Sequence, residues 1–479
     1  MNSSNHSRVL ESVLGNTKPL QYPRGKRLPF YAWSLAGLTT GDDGELRRAL
    51  TALDERGMAA ISTWDHRQRD HSLEEALHVG RIQTEMGLRV TINANALLYS
   101  FCDGNPNTAH ISSDGEHFFD TSFSPGVKMG CPFALQTRYA EIRQRVEWFA
   151  RGYRENGVAP DFVFADWEID GALEWNGAWD ASKRCARCRQ NIPEIENFTA
   201  FQRSIREIRS AMQRETYARP LRQHFPDALV GNYAVYPHNG TRYWYDYFEE
   251  YVEGAPCSFD QRACYRKWFH EFTLTEYTVA MPVVYTWYPT FGWYDFHNPD
   301  YRWFYNMLLV ASNAGQHAGK ISGEAPLISF VHWHTTAAPE DADPETKQFS
   351  ASMYQELLWH MLLRGHSTFF VWCVPEEVQK EVALAHEVYA ASLEYADFLE
   401  QGEPLLFEVP SYEGPVVSAV RLGDRLLVRR TDFTPTEEQF LLTVEGLSAG
   451  PAGQGVRQDE RLCARIPRAE GRCQLVQLG

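Results

Sequence analysis

The chain alternates between short apolar runs and longer amphipathic segments over most of its length. The segments between the apolar runs have helical periodicity, and glycines such as Gly57, Gly87 and Gly157 mark the predicted helix ends. This alternation predicts parallel strands joined by helices, and eight such units predict a closed (β/α)8 TIM barrel. The predicted strands are residues 28–35, 58–66, 89–97, 161–171, 228–238, 279–288, 326–334 and 367–374.

The pattern changes near residue 401, where short alternating segments are divided by Gly, Pro and Asp. Such segments are typical of a small antiparallel β-sandwich. We therefore predict an N-terminal tail at 1–27, a catalytic (β/α)8 barrel at 28–399 and a C-terminal β-sandwich domain at 400–479. The stretch 99–132 is rich in Gly, Pro, Ser, Asn and Asp and is predicted as a long irregular loop.

The composition is that of a soluble globular protein, with 44% hydrophobic and 23% charged residues. A formal net charge of −16 argues against nucleic acid or an anionic membrane as a partner, because both require a basic surface. No apolar run reaches the roughly 20 residues that span a bilayer. The polar N-terminus lacks the apolar segment of a signal peptide, so we expect a cytoplasmic protein or a secreted one without its signal.

Two carboxylates stand at the end of the fourth predicted strand, in the run Asp161-Phe-Val-Phe-Ala-Asp166-Trp167-Glu168. Side chains at positions i and i+2 of a strand leave the same face, so Asp166 and Glu168 are expected side by side, with Trp167 turned away. Like charges in a poorly solvated place repel, which raises one pKa. A carboxyl group that stays protonated near neutral pH is suited to general acid catalysis.

The ends of the other predicted strands supply aromatic, amide and imidazole side chains. Barrel active sites lie at the carboxyl ends of the strands, and such groups suit a neutral polyhydroxylated ligand. The chain has an aromatic content of 13%, and rings of this kind can also be core residues. The predicted substrate-binding residues are Trp33, Asp65, His66, Asn93, Asn95, Asn232, Tyr233, Tyr236, His238, Trp287, His332, Trp333, His334 and Trp372.

These motifs resemble those of barrel glycoside hydrolases of the chitinase and hyaluronidase type. Asp166-Trp167-Glu168 is similar to the Asp-Trp-Glu of hyaluronidases, and the run ending in Trp372 is similar to the strand-eight tryptophan of chitinases. The resemblance implies that Glu168 is the acid/base and that Asp166 orients an acetamido group of the substrate, which Tyr285 supports. Phe164 stands where the chitinase run has a further aspartate, so the resemblance does not extend to chitin.

The carboxylate inventory leaves three mechanisms open, because the seventh strand ends in His332-Trp333-His334 and offers no nucleophile. In the first, the substrate supplies the nucleophile. In the second, Asp166 is the nucleophile, as in α-galactosidase-like barrels, and an aspartate of the sixth-strand loop is the acid. In the third, a base acts through water and inverts the anomeric centre. The candidate acids of the second are Asp295 and Asp300, and the candidate bases of the third are Asp65 and Glu376.

We therefore predict a glycosidase that cleaves an oligo- or polysaccharide with retention, by the first or the second of these mechanisms, and that uses neither a cofactor nor a metal. One alternative is a carbohydrate-binding barrel without turnover, since the seventh strand lacks a carboxylate. Another is a metal-dependent hydrolase that uses the pair His332 and His334.

Nine cysteines, an odd number, do not indicate a disulfide framework in a chain of this length. Cys185 and Cys188 form a lone CxxC, which we interpret as two free thiols in a loop. The alternative is a redox or metal site completed by another cysteine, because a structural zinc ion takes four ligands. The candidates for that role are Cys102, Cys131, Cys257 and Cys264.

Overall fold

The computed structural model describes residues 3–37, 42–124, 126–167, 176–242, 266–267, 270–320, 325–336, 345–374, 376–434, 439–444, 455–458, 461–469 and 471–478. The chain divides into two compact units. The first comprises Met1–Glu11, Trp33–Asp54 and Met58–Pro282, and the second comprises Ser12–Ala32, Glu55–Gly57 and Val283–Gly479. None of the described helices is both long and apolar enough to cross a membrane.

All eight predicted apolar runs contain a strand, and the strands form two parallel four-stranded sheets. In the first unit the order is β2 (Ile61–Thr63), β3 (Thr91–Asn93), β4 (Phe162–Ala165) and β5 (Leu229–Asn232). In the second unit the order is β1 (Tyr31–Ala32), β8 (Thr368–Val371), β7 (Ile328–Thr336) and β6 (Val283–Trp287). The fold class is therefore mixed α/β with parallel sheets, as the periodicity predicted.

Helices occupy the segments between these strands. Among the described residues, the α-helices of the first unit are Asp43–Asp54, Arg69–Glu85, Asn95–Leu98, Tyr139–Glu155, Asn176–Arg184, Ala186–Asn191, Phe198–Gln213, Arg219–His224 and Phe272–Thr275. Those of the second unit are Tyr288–Phe291, Pro299–Ala318, Ala351–Leu363, Val378–Ser392 and Ala396–Gln401. Gly87 and Gly157, with φ of 69° and 68°, follow two of the helices, and this left-handed conformation favours glycine.

Part of the predicted N-terminal tail is helical. Ser3–Asn16 forms an α-helix, because Val9, Leu10, Val13 and Leu14 recur at helical spacing and give the segment an apolar face. Val13 is buried. Arg56 donates hydrogen bonds to the carbonyl oxygens of Leu14 and Thr17, both at 3.3 Å, which fixes the end of this helix.

The predicted long loop 99–132 contains two small antiparallel strand pairs. His110–Ile111 pairs with His117–Phe118, and Asp120–Ser124 pairs with Val127–Met129. Another short pair joins Thr241–Arg242 to Arg266–Lys267. The strands in 99–132 are two to five residues long, too short for their alternation to be read from the sequence.

The strands of the predicted C-terminal domain are antiparallel. Glu403–Pro404, Pro415–Leu422, Arg425–Asp432 and Cys473–Gln477 form one sheet. Gln439–Val444, Arg461–Pro467 and Gly455–Gln458 form a second sheet. Apolar side chains of both sheets, including Val428 and Ile466, belong to a single buried cluster, so the alternation along these strands serves to bury one face of each sheet.

Candidate functional site

The carboxyl ends of β2 and β3 border a cavity of about 610 Å³ within the first unit. The register pairs Thr63 with Asn93 and Asn93 with Phe164, so these strands end at one level. Four predicted substrate-binding residues line the cavity, together with residues that the sequence did not single out. The predicted ones are Asp65, His66, Asn93 and Asn95, and the additional ones include Tyr99, Ser100 and Arg145.

Asp65 is held in its ionised form by a neighbour two residues along the chain. Arg67 Nε donates to Asp65 Oδ1 at 2.8 Å and Arg67 Nη2 donates to Oδ2 at 2.7 Å. The hydrogen bonds from Arg67 lower the pKa of Asp65 below its usual value. A carboxylate with a lowered pKa is a weak proton acceptor, so Asp65 is better suited to accept hydrogen bonds from a ligand than to act as a base.

His66 shares a hydrogen-bond network with residues outside the predicted set. His66 Nε2 lies 3.2 Å from Ser100 Oγ, and Arg145 Nη1 donates to the same Oγ at 2.7 Å. Burial lowers the pKa of His66, and the charge of Arg145 lowers it further. The imidazole is therefore neutral at pH 7. Arg145 is one of several arginines on helix Tyr139–Glu155, and nothing in the sequence distinguishes it from the others as a site residue.

Asp166 follows the last residue of β4 and carries a buried oxygen. Among the described residues, no group makes a hydrogen bond to Asp166 Oδ1. Burial raises the pKa of Asp166 to about 7, because desolvation penalises the charged form. Asp166 does not line the 610 Å³ cavity. The other predicted member of the pair, Glu168, lies outside the described residues.

The backbone on either side of Asp166 is firmly placed. Trp167 is fully buried and packs towards helix Phe198–Gln213, with the guanidinium of Arg209 5.3 Å from its ring centroid. The Trp167 side chain therefore lies against that helix. Asn232 Oδ1 accepts the Trp167 backbone N–H at 3.0 Å, and Asn232 Nδ2 donates to Gln213 Oε1 at 3.1 Å. Asn232 is fully buried, so its amide positions the end of β4. This burial corrects the expectation that Asn232 contacts the substrate.

The other aromatic residues predicted for the first unit are mostly covered. Tyr233, Tyr236 and His238, which follow β5, are all buried, and the His238 ring stacks on His270 at a centroid distance of 4.9 Å. Trp33 is half-buried and makes an edge contact with Phe164 at 6.0 Å. Only a small part of the first three rings is open to a ligand.

The second unit has a stack of rings at the ends of β6, β7 and β8. The Tyr285 and His332 centroids lie 4.0 Å apart, those of His332 and His334 4.7 Å, and those of His334 and Trp372 5.6 Å. Trp372 and His334 are half-buried, whereas His332 is fully buried. Burial holds the pKa of His332 well below its usual value, so this imidazole is neutral.

The hydrogen bonds of His332 and His334 indicate packing and positioning. His332 Nδ1 lies 2.9 Å from Thr286 Oγ1, and His334 Nδ1 contacts Glu381 Oε1. In the described part of the chain, neither histidine belongs to a group with metal-ligand geometry. The group that does consists of His110, Cys131, Cys185 and Cys188.

Two predicted tryptophans of the second unit differ in environment. Trp333 is buried and donates its indole N–H to the Phe349 carbonyl at 2.7 Å. Lys380 lies 4.0 Å from the centroid of its ring, on helix Val378–Ser392. Trp333 therefore faces the helices, which corrects the expectation that it binds sugar. Trp287 is half-buried and keeps its predicted role as a proposal.

The other candidate carboxylates of the second unit differ in their surroundings. Asp300 accepts hydrogen bonds from the Ser350 backbone N–H at 2.8 Å and from Ser350 Oγ at 2.7 Å. It therefore fixes the start of helix Ala351–Leu363, which Ser350 caps. Glu376 and Asp295 are exposed to solvent.

Comparisons with known proteins gave structural likeness only. No family model and no curated protein matches the sequence. The chain is similar to α-L-fucosidase isoenzyme 2 from Paenibacillus thiaminolyticus, with a TM-score of 0.45 and 13% identity over 79% of this chain and 51% of that one. It is also similar to a β-galactosidase from Marinomonas ef1, with a TM-score of 0.44 and 12% identity over 76% of this chain and 59% of that one.

A β-L-arabinopyranosidase from Geobacillus stearothermophilus gives a TM-score of 0.44 and 8% identity over 96% of this chain and 99% of that one. The chain thus spans between half and three fifths of the fucosidase and the galactosidase. All three TM-scores lie below 0.5.

Proposed function

We propose that this chain is a glycoside hydrolase that cleaves an oligo- or polysaccharide. Glu168 protonates the leaving oxygen, and Asp166 stabilises the positive charge that develops at the anomeric carbon. The cavity at the ends of β2 and β3 contributes Asp65, Asn93 and Asn95 as hydrogen-bonding groups for sugar hydroxyls.

The observation that supports this proposal best is the state of Asp166. A carboxylate kept only for stability is expected to have hydrogen-bond or ion-pair partners, because an unsatisfied buried polar group costs about 1–3 kcal/mol. Asp166 Oδ1 has no such partner among the described residues, and burial raises its pKa to about 7. Perturbed carboxyl groups of this kind concentrate at functional sites.

The same observation favours retention assisted by the substrate over the other mechanisms. In this mechanism an acetamido group of the substrate attacks the anomeric carbon, and Asp166 orients that group. The protein then needs no nucleophilic carboxylate at the end of another strand. The route with Asp166 as nucleophile requires a separate acid, yet Asp300 is engaged with Ser350. The inverting route requires a base, yet Arg67 lowers the pKa of Asp65.

The test is hydrolysis of a panel of aryl glycosides and oligosaccharides by the wild type, Glu168→Gln and Asp166→Asn. Glu168→Gln is expected to lower kcat by about 10²–10⁴-fold, the usual contribution of one acid group, and Asp166→Asn by about 10²–10³-fold, the usual contribution of one group that stabilises transition-state charge. The matched control is Asp161→Asn. Asp161 precedes the same strand, and its Oδ2 accepts the Val90 backbone N–H at 2.8 Å at the opposite end of the sheet.

Full activity of Glu168→Gln on a substrate that the wild type cleaves would refute the assignment of the acid. Binding of a glycan without any product over a day would instead identify a carbohydrate-binding barrel. If the acetamido route is right, aryl 2-acetamido-2-deoxyglycosides are cleaved and the matching 2-hydroxy glycosides are not. Equal cleavage of both would contradict that route.

A further inference from the structure

We propose that His110, Cys131, Cys185 and Cys188 bind one structural zinc ion. All four side chains are buried, and their candidate ligand atoms lie within 4.8 Å of one another. Zinc in structural sites takes four thiolate and imidazole ligands in a tetrahedral arrangement, and three cysteines with one histidine is a common set. The proposal is independent of the proposed function.

The distances between the sulfur atoms fit a shared ion. Cys131 Sγ lies 3.6 Å from Cys188 Sγ and 3.8 Å from Cys185 Sγ. Zn–S bonds of about 2.3 Å at tetrahedral angles separate two sulfurs by about 3.8 Å. A disulfide requires an S–S distance of about 2.05 Å, and it would join only two of the three cysteines. One zinc ion uses all three sulfurs and the imidazole together.

His110 is preorganised for this role. Its ring stacks on Phe118 at a centroid distance of 5.0 Å and an interplanar angle of 16°, which fixes its orientation. The imidazole interacts with the Cys185 sulfur. Its other polar contacts are incomplete, because no described residue makes a hydrogen bond to the buried Nδ1.

The four residues come from two separate segments of the first unit. His110 and Cys131 belong to the segment after β3, and Cys185 and Cys188 belong to the segment after β4. A backbone bridge between Ser112 and Cys185 already joins the two segments. An ion at this point would tie the connection that follows β3 to the connection that follows β4.

The closed ligand set indicates a structural ion rather than a catalytic one. Four protein ligands leave no open position for water or substrate. Soft thiolates also select zinc over magnesium and calcium, which prefer oxygen. Because Cys131 and Cys188 are 57 residues apart in the sequence, binding would close a long loop, and its free energy would add to the stability of the folded chain.

Metal analysis of the full-length protein, expressed with zinc and dialysed, tests the proposal. The wild type is expected to contain about one zinc ion per chain. Cys188→Ser and Cys131→Ser are expected to lose most of it. The control is Cys473→Ser, since Cys473 lies on the last strand, Cys473–Gln477, and outside the cluster; this variant is expected to retain zinc.

A second measurement keeps the test valid if the serine variants do not fold. Wild-type protein treated with a chelator is titrated with Co²⁺, and we expect thiolate-to-cobalt charge transfer and tetrahedral d–d bands that saturate at about one equivalent. Zinc added back to the chelator-treated protein should also restore the thermal stability that the chelator removed. Wild type without zinc and without cobalt bands, or serine variants with undiminished zinc, would overturn the proposal. Iron in place of zinc would contradict the identity of the ion.

Discussion

Two buried carboxylate oxygens, one after β4 and one beside β7, have opposite hydrogen-bond environments. Asp166 Oδ1 has no partner among the described residues. Glu381 is fully buried and accepts the backbone N–H groups of Trp333 at 2.9 Å and His334 at 2.6 Å, together with a contact from His334 Nδ1. Glu381 therefore attaches the end of β7 to helix Val378–Ser392.

The difference shows why burial alone does not identify a functional carboxylate. Glu271 and Glu356 are buried as well, but Arg209 lies within 2.6 Å of both Glu271 oxygens and Arg429 Nε lies 2.9 Å from Glu356. Such partners stabilise the charged form and make the group structural. Among the described residues, Asp166 Oδ1 has no such partner, and burial raises the pKa of Asp166 to about 7.

The largest effect on stability is expected for Glu381→Ala. The substitution leaves two backbone N–H groups and His334 without their acceptor, and each unsatisfied buried group costs about 1–3 kcal/mol. We expect the free energy of unfolding, measured with urea at pH 7, to fall by about 3 kcal/mol or more. The control Glu376→Ala removes an exposed carboxylate and should change stability by less than about 0.5 kcal/mol. Equal effects would show that Glu381 does not anchor β7.

Asp166→Asn is expected to stabilise the protein as the pH rises. The pKa of Asp166 is about 7 in the folded chain, against an ordinary value of 3.8, so the unfolded chain ionises first and wild-type stability is lost from about pH 4 to about pH 7. Asparagine does not titrate. The variant should therefore gain at least about 1.4 kcal/mol over the wild type between pH 4 and pH 8, the equivalent of one pKa unit.

Urea unfolding at both pH values measures this difference. A constant difference would contradict the raised pKa. In the same protein, log kcat of the wild type should rise with pH through about 7, because the proposed role of Asp166 requires its carboxylate form. A fall through this range would instead make Asp166 the acid.

The smallest effect is expected for Arg67→Ala. Arg67 is largely exposed, and exposed ion pairs contribute at most about 1 kcal/mol, so stability should change little. Loss of the Arg67 hydrogen bonds should raise the pKa of Asp65 and loosen its orientation, so we expect KM to rise by less than tenfold, or about 1.4 kcal/mol. Arg69→Ala, two residues further along, is the control. An unchanged KM would remove Asp65 from the binding site.

Much of the fold could be predicted from local pattern. Apolar runs located all eight strands because parallel strands are buried on both faces. Alternation also predicted that Trp167 turns away from Asp166, and the same rule places Trp333 opposite its neighbours His332 and His334. Applied to that second case, the rule would have removed Trp333 from the predicted sugar-binding residues.

The environment of each site residue could not be predicted in this way. Asn232 and His332 have the residue types of ligand-binding groups, but Trp167, Gln213 and Thr286 satisfy their polar atoms. The helical N-terminus was missed because the segment is polar overall. The CxxC indicated two members of the proposed metal site, and Cys131 was one of four candidate partners, but His110 is distant in the sequence and was not among them.

The sequence by itself determined the order of strands and helices and the position of the carboxylate pair after β4, because periodicity and residue type act over a few neighbouring residues. Only the tertiary structure decided which buried carboxylate has partners and which cysteines and histidine converge. Desolvation, hydrogen bonding and metal-ligand distances depend on groups brought together from distant parts of the chain, and no local pattern encodes them.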